Sequence, residues 1–174
     1  LGWIRGFDVH PSGESIVTGG SDRHVRLWKW DGDRPAESPV SDVAAHDGWV
    51  ESVAFSPDGT RVATVGADRQ LKLWDAARLT PIKAVPAHSA IPRDVAFSRD
   101  GKWIVTGGED GVAIVWNALT FEEVRRIETG QTSDQQGQHP GLGGIIRLAL
   151  THDDRWLVLA CARVSPVYEL ATGM

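Results

Sequence analysis

Cysteine is nearly absent from this sequence, which contains a single one, Cys161. One thiol excludes an internal disulfide and any cluster of thiolates that could hold zinc, so the folded chain must be stabilised by packing. Long apolar runs are missing as well, since none approaches the ~20 residues that a membrane-spanning helix needs. The first ten residues also lack the basic start and apolar core of a signal peptide. We therefore expect a cytoplasmic protein without a membrane partner.

Positive charge is in deficit. The chain has 18 Lys and Arg residues against 23 Asp and Glu residues, which gives a formal net charge of -5. It therefore offers no broad positive field that could neutralise a phosphate backbone, and we expect no nucleic-acid partner. Hydrophobic residues make up 41% and charged residues 24% of the 174 residues, which is the composition of a single globular domain.

What the sequence does contain is an internal repeat. Three segments run in register without a gap: "HPSGESIVTGGSDRHVRLWKW" from His10, "SPDGTRVATVGADRQLKLWDA" from Ser56 and "SRDGKWIVTGGEDGVAIVWNA" from Ser98. Each of them has an aspartate six residues before a tryptophan. A fourth and weaker copy begins at Thr151 and places Tyr168 where the tryptophan should be. The chain is therefore predicted to contain four similar structural units.

Each copy predicts antiparallel β-strands. In the second copy, "WVESVAF" and "RVATVGA" alternate apolar with small or polar residues, and "QLKLWD" places Leu71 and Leu73 on one face. Between the first two strands, Pro57 presets φ and Gly59 can take a positive φ, which predicts a tight hairpin. The segment "PIKAVPA" predicts a fourth strand. Each unit is thus a four-stranded meander of about 40–45 residues, the size of one propeller blade.

With these motifs the chain resembles the WD-repeat β-propellers over nearly its whole length. The matching positions are Ala45-His46 and Ala87-His88 for the family's Gly-His pair, and Asp22, Asp68 and Asp110 with Trp28, Trp74 and Trp116 for its aspartate and tryptophan. Only Trp74-Asp75 is a literal Trp-Asp pair. The resemblance implies an all-β propeller of about four blades, each a four-stranded antiparallel sheet.

The implied blades cover about residues 1–43, 44–85, 86–128 and 139–174 of a single domain over 1–174. The last blade is incomplete and irregular, because Val158 stands where a threonine belongs and Ala162 where an aspartate belongs. Residues 129–144 are rich in Gly, Gln and Ser and predict an inserted surface loop, which is either merely tolerated or contacts a ligand or partner. Since the family usually has seven blades, we expect this chain to be part of a larger propeller. The alternative is that copies associate to close a ring and cover their apolar flanks.

The resemblance also implies a hydrogen-bonded tetrad of His, Thr, Asp and Trp within each regular blade. The matching residues are His46, Thr64, Asp68 and Trp74, then His88, Thr106, Asp110 and Trp116, and in the first copy Thr18, Asp22 and Trp28. A hydroxyl, a histidine and a carboxylate could also form a hydrolase triad. A nucleophile is needed only once, however, whereas this set recurs and ends on a core tryptophan. We therefore interpret it as structural and expect no catalytic, cofactor or metal site.

Propellers of this family mostly bind macromolecules through faces built from loops, so the resemblance predicts a non-catalytic scaffold for protein–protein interaction. It places possible partner-binding residues at the start of the first strands and just before the turn aspartates: Trp3, Trp49, Ile91, Ser21, Ala67 and Glu109. The two tryptophans could equally cover the blade ends. An alternative is a sensor or regulatory segment of a larger protein whose kinase, protease or cytochrome domain lies elsewhere. A propeller enzyme would need carboxylates or histidines converging near the axis, and no such pattern repeats beyond the tetrads.

Overall fold

The computed structural model describes residues 2–31, 33–129, 144–161 and 165–170. These residues form β-strands joined by turns and contain no helix, and hence no helical segment that could cross a membrane. The strands are grouped in four antiparallel sheets, each built from strands that follow one another in the chain. The prediction of an all-β propeller of about four blades is therefore confirmed.

The second and third sheets have four strands each, in the order of the chain. The first sheet comprises β1 (Ile4–Val9), β2 (Ser15–Gly20), β3 (His24–Asp31), β4 (Arg34–Pro35) and β5 (Ser41–Ala44). The second comprises β6 (Val50–Phe55), β7 (Arg61–Gly66), β8 (Gln70–Asp75) and β9 (Thr80–Pro86). The third comprises β10 (Pro92–Phe97), β11 (Trp103–Gly108), β12 (Val112–Asn117) and β13 (Glu123–Glu128). The fourth comprises β14 (Ile145–Leu150), β15 (Trp156–Cys161) and β16 (Val167–Glu169).

The first sheet has one strand more than the four predicted. β5 pairs with β3 as an outer strand, while the two-residue β4 pairs with the far end of β3 at Trp30 and Asp31. Sequence periodicity does not indicate either strand, because residues 34–44 mix polar and apolar residues without a regular alternation and contain Pro35 and Pro39. The sheet ends at Ala44, one residue beyond the limit expected for the first blade. We keep the other blade limits as a proposal. Of the insertion predicted over residues 129–144, residues 130–143 lie outside the described residues.

Tight hairpins join the first and second strands of the first three sheets. Gly13, Gly59 and Gly101 all take a positive φ, of 77°, 71° and 72° respectively. In the second blade, the Gly59 N–H donates to the Ser56 carbonyl at 2.8 Å, which closes the turn. The left-handed backbone at these positions is the reason why glycine is found there in all three copies.

The core consists of three apolar layers, each lying between two consecutive blades. The layer between the first and second blades includes Val17, Val25, Leu27, Val53, Val62 and Trp74. The next layer includes Ala63, Leu71, Leu73, Val95, Ile104 and Trp116, and the last includes Val105, Val115, Leu148, Leu157 and Leu159. The innermost strands β1, β6, β10 and β14 also pack against one another in sequence order. Each inner sheet is thus covered on both faces.

The two outer faces of this array remain accessible. On the first blade, Phe7 is 69% exposed and its neighbour Ile16 is half-buried, while on the fourth blade Val167 is 52% exposed. The position of Ile16 corresponds to that of Ile104 in the third blade, because each pairs with the tryptophan of its own third strand. Isoleucine therefore occupies this register position both in the third blade, where a neighbouring blade covers it, and in the first blade, where the described residues leave it uncovered. Whether further blades or a second copy cover these faces stays a prediction.

Truncation of these two isoleucines should separate packing between blades from packing within a blade. Ile104→Ala should lower the free energy of unfolding by about 2–5 kcal/mol, because Ile104 is fully buried between two sheets. Ile16→Ala should cost about 1 kcal/mol, since its side chain lacks that second layer. Urea unfolding followed by tryptophan fluorescence measures both losses. Equal losses would contradict the assignment of Ile16 to an uncovered face.

Candidate functional site

The polar side chains of the second blade form a continuous hydrogen-bonded chain. The His46 Nδ1 lies 2.7 Å from Asp68 Oδ1, and its Nε2 lies 2.8 Å from Thr64 Oγ1. The indole Nε1–H of Trp74 donates to the same Thr64 Oγ1 at 2.9 Å. The chain crosses the blade from the loop before β6, through β7, to the β7–β8 turn and β8. It therefore ties together the segment before the first strand, the second strand and the third.

The third blade repeats this arrangement. His88 Nδ1 lies 3.0 Å from Asp110 Oδ1, His88 Nε2 lies 2.8 Å from Thr106 Oγ1, and Trp116 Nε1–H donates to Thr106 at 3.0 Å. In both blades the histidine side chain is fully buried, and the aspartate side chain is 7% exposed. A substrate cannot reach the threonine hydroxyl, since it is fully buried and engaged by two partners. The geometry supports a structural role and offers no nucleophile.

The first blade contains only part of this hydrogen-bonded tetrad. The Trp28 Nε1–H donates to Thr18 Oγ1 at 2.9 Å, as in the other blades. Asp22, by contrast, forms an ion pair with Arg26 at 2.8 Å, and its side chain is 25% exposed. In the fourth blade Val158 is half-buried on β15, whereas Ala162 lies outside the described residues. The two complete tetrads are thus those of the central pair of blades.

The direction of each hydrogen bond follows from the tryptophan. An indole N–H can only donate, so the threonine oxygen accepts from it and uses its own hydrogen for the histidine Nε2. The histidine is then neutral, with its hydrogen on Nδ1 and donated to the aspartate. Protonation of the histidine would leave the threonine hydrogen without an acceptor. Accordingly, burial holds the pKa of His88 below its usual range, despite the opposing charge of Asp110.

The aspartates of the tetrads are held in their charged form. Burial alone would raise the pKa of Asp68, but the hydrogen bond from His46 and the backbone N–H groups of Asp47 and Gln70 together lower it to about 2. Burial likewise opposes ionisation of Asp110, and the interaction with His88 lowers its pKa in the same way. A carboxylate that accepts several hydrogen bonds is stabilised as an anion.

The possible partner-binding residues meet at one end of the sheets. Three equivalent backbone hydrogen bonds join them in pairs: Ser21 N–H to Trp3 carbonyl (2.8 Å), Ala67 N–H to Trp49 carbonyl (2.8 Å) and Glu109 N–H to Ile91 carbonyl (2.9 Å). We call the end of the propeller formed by these six residues the tryptophan face. Trp3 is 82% and Trp49 is 51% exposed there, whereas Ile91, Ser21 and Ala67 are half-buried.

A chain of ion pairs, which the sequence patterns do not indicate, runs beside the tryptophan face. Arg5 donates from Nε and Nη2 to Glu51 Oε2 at 3.0 and 2.7 Å, and Arg93 Nη1 donates to the same oxygen at 2.9 Å. Arg93 also bonds to Glu109 through Nε at 2.9 Å. Burial opposes the charge of Arg93, yet the bonds to Glu109 and Glu51 raise its pKa. These residues belong to three different blades.

A β-bulge at the start of each innermost strand explains how these charges meet. The register shifts between Ile4 and Gly6 in β1, and equivalent shifts occur in β6, β10 and β14. Arg5, Glu51 and Arg93 are the extra residues at the first three shifts. Because a bulge redirects the side chain of its extra residue, all three point to a shared region near the axis.

The described part of the chain contains no cluster of three or more His, Cys, Asp or Glu side chains arranged to hold a metal ion. The tetrads are used internally, and the remaining polar groups of note are the arginines and glutamates near the axis.

Comparison with known proteins agrees with the repeat pattern. The family model described as "WD domain, G-beta repeat" matches three times, over residues 1–29, 37–75 and 79–117. Together these matches cover more than half of the chain, and each ends on or next to the tryptophan of its blade. A search of curated proteins found no match.

Removal of a tetrad aspartate should cost more stability than removal of its counterpart in the first blade. Asp68→Ala should lower the free energy of unfolding by about 2–3 kcal/mol, because the buried Nδ1–H of His46 loses its acceptor. Asp22→Ala is the matched control and should cost about 0.5–1 kcal/mol, since its ion pair is partly exposed. Urea unfolding measures both. A loss for Asp68→Ala no larger than for Asp22→Ala would contradict the structural role of the tetrad.

Stability should decrease in acid. The unfolded chain binds protons at histidine near pH 6.5, whereas folded His88 does so only at lower pH. The contribution of this histidine to the free energy of unfolding should therefore be fully present above about pH 7 and be lost as the pH drops below about 6.5. A further loss of about 2 kcal/mol should follow between about pH 4 and 2, as the unfolded chain protonates at Asp68 before the folded chain does.

Urea unfolding between pH 4 and 8 measures the histidine part of this loss. His88→Gln should reduce the decrease below pH 6.5, because glutamine can occupy the site without titrating. His24→Gln is the control, since the His24 side chain is 37% exposed, and it should keep the decrease. An unchanged decrease in His88→Gln would show that the tetrad histidine is not its source.

Proposed function

The chain belongs to the WD-repeat family, whose propellers generally serve as scaffolds for protein interaction, and on that premise we propose that it binds a protein partner through its tryptophan face. The single observation that carries this proposal is the exposure of two tryptophans at equivalent positions of neighbouring blades. Trp3 is 82% and Trp49 is 51% exposed, although aromatic side chains of this size are normally covered. Exposed tryptophan is enriched among residues that dominate binding energy.

The backbone at these tryptophans supports the proposal because hydrogen bonds to Ser21 and Ala67 hold it in place. Trp3 N–H donates to Ser21 Oγ at 2.8 Å, and Ser21 N–H donates back to the Trp3 carbonyl. Ala67 N–H holds the carbonyl of Trp49 in the same manner. A partner would therefore meet a surface whose backbone is already ordered, which lowers the entropic cost of binding.

The side chain of Trp49 is also oriented by a charge. The guanidinium of Arg5 lies over its ring, 4.8 Å from the centroid. A stacked guanidinium reduces the freedom of the indole and gives the surface both an apolar and a polar component, a combination common at interfaces. The chain thereby presents a mixed surface near the propeller axis.

This proposal describes a binding module without catalysis. Two observations support it. The tetrad hydroxyls are buried and hydrogen-bonded, and the exposed tryptophans are of the kind that bind proteins. The alternative of a regulatory segment attached to a catalytic domain stays a prediction, as do a cytoplasmic location and the absence of nucleic-acid and membrane partners.

Substitution of the exposed tryptophans tests the proposal. The variant Trp3→Ala/Trp49→Ala should lose at least about tenfold in partner capture, since a hot-spot tryptophan contributes 2 kcal/mol or more. The measurement is capture on immobilised protein from a lysate of the source organism, quantified by mass spectrometry against the unsubstituted chain. Circular dichroism and thermal unfolding verify that the variant is folded.

Trp30→Ala provides the matched control. Trp30 is 41% exposed but lies at the opposite end of the first sheet, where its indole N–H donates to the Gly13 carbonyl at 2.7 Å. Capture should survive this substitution. Undiminished capture by the folded double variant, or equal loss in the control, would contradict docking at the tryptophan face.

A further inference from the structure

A pocket of about 760 Å³ opens beside the tryptophan face and is lined by residues of all four blades. Its charged and aromatic lining consists of Trp3, Arg5, Glu51, Arg93, Glu109 and Arg147. The volume is sufficient for one or two amino-acid side chains. Three arginines face two glutamates in this lining, so the pocket carries a net positive charge although the chain as a whole has a net charge of -5.

Among the described residues, one buried side-chain oxygen of the pocket lining has no hydrogen-bond partner. Glu51 is buried with 3% of its side chain exposed, and its Oε2 accepts all three bonds from Arg5 and Arg93. Its Oε1 is buried and has no partner among the described residues. A buried acceptor left unpaired costs about 1–3 kcal/mol, and such groups in native structures call for a physical explanation. An N–H or O–H group of a ligand would satisfy this oxygen if the Glu51 carboxylate turned it toward the pocket.

The surrounding charges define which donor fits. A cationic donor would be repelled by the guanidiniums of Arg5, Arg93 and Arg147, which line the same pocket. A neutral donor, such as a peptide N–H, would not be. The pocket therefore fits a ligand that donates from a neutral nitrogen and carries a negative charge close to that nitrogen.

Arg147 is the arginine best able to bind that negative charge. Its side chain is 60% exposed, and among the described residues its ion-pair partner is Asp94, at 3.7 Å. Arg5 and Arg93, in contrast, each spend two or more N–H groups on Glu51 and Glu109. Arg147 thus keeps N–H groups that can bind a carboxylate, and a charge-assisted bond of this kind is the stronger class of hydrogen bond.

From these contacts we propose that the pocket binds an acidic residue of a peptide segment. The backbone N–H of that residue donates to Glu51 Oε1, and its carboxylate is bound by Arg147 with the open N–H groups of the neighbouring arginines. Trp3, at the rim of the same pocket, packs against the adjoining residues of the segment. The inference rests on the proposed function, since it names the chemistry of the segment that the tryptophan face receives.

Selection from a phage-displayed random heptapeptide library tests this proposal. Peptides selected on the unsubstituted chain should carry Asp or Glu at one fixed position. For the best peptide, replacement of that residue by Asn or Gln should weaken binding by about tenfold or more, as measured by fluorescence polarisation. Arg147→Ala should cause a comparable loss, and higher salt should weaken binding to the unsubstituted chain.

Arg155→Ala is the matched control for the arginine. The Arg155 side chain is 61% exposed on the same blade, but it pairs with Glu169 and does not line the pocket. Binding should remain within about twofold of the original in this variant. Both arginines are exposed, so the two variants should remain folded, and thermal unfolding verifies that they are.

The outcomes separate this proposal from the proposed function. Selected peptides without a fixed acidic residue, or peptides indifferent to Arg147→Ala, would overturn the acidic pocket. If such peptides still required Trp3 and Trp49, docking at the tryptophan face would stand. Peptides that require neither the tryptophans nor Arg147, or a library that yields no binder, would count against both.

Discussion

Face-to-face packing of consecutive sheets is the interaction on which the rest of the structure depends. Leu71 and Ile104, from neighbouring blades, are both fully buried in the same apolar layer. Because each inner blade presents one apolar face to the blade before it and another to the blade after it, the innermost strands must lie side by side. The bulged residues Arg5, Glu51 and Arg93 are thereby brought within hydrogen-bonding distance, although they are 46 and 42 residues apart in the chain.

The tetrads meet a second constraint, which is that polar groups buried at a blade edge must be paired. In the second blade one chain of bonds uses the indole of Trp74, the hydroxyl of Thr64, both nitrogens of His46 and the carboxylate of Asp68. All of these groups are engaged by hydrogen bonds within the blade. The groups that remain open to a partner lie at the strand ends, where Trp3 and Trp49 are exposed and the arginines gather.

Much of the fold could be predicted from the sequence because the signals are local. The apolar and small residues of β7 and β8 mark two strands, of which β7 is buried on both faces, and Gly59 marks a turn that requires a positive φ. β5 was not predictable in the same way, since it is short, only two of its four residues are apolar, and its place is set by pairing with β3. The residues at the start of the first strands and those just before the turn aspartates meet at the tryptophan face. This could be anticipated only from the family resemblance.

The sequence by itself determined the repeat and the strand type, because both are encoded at short range and recur in register, whereas the polar residues of the two complete tetrads followed from the family resemblance. Only the tertiary structure decided which charges meet at the axis. Arg5, Glu51 and Arg93 look like ordinary polar residues of three separate strands in the sequence. A bulge in each strand and the packing of the blades give them one shared location, and leave Glu51 with a buried oxygen that has no hydrogen-bond partner among the described residues.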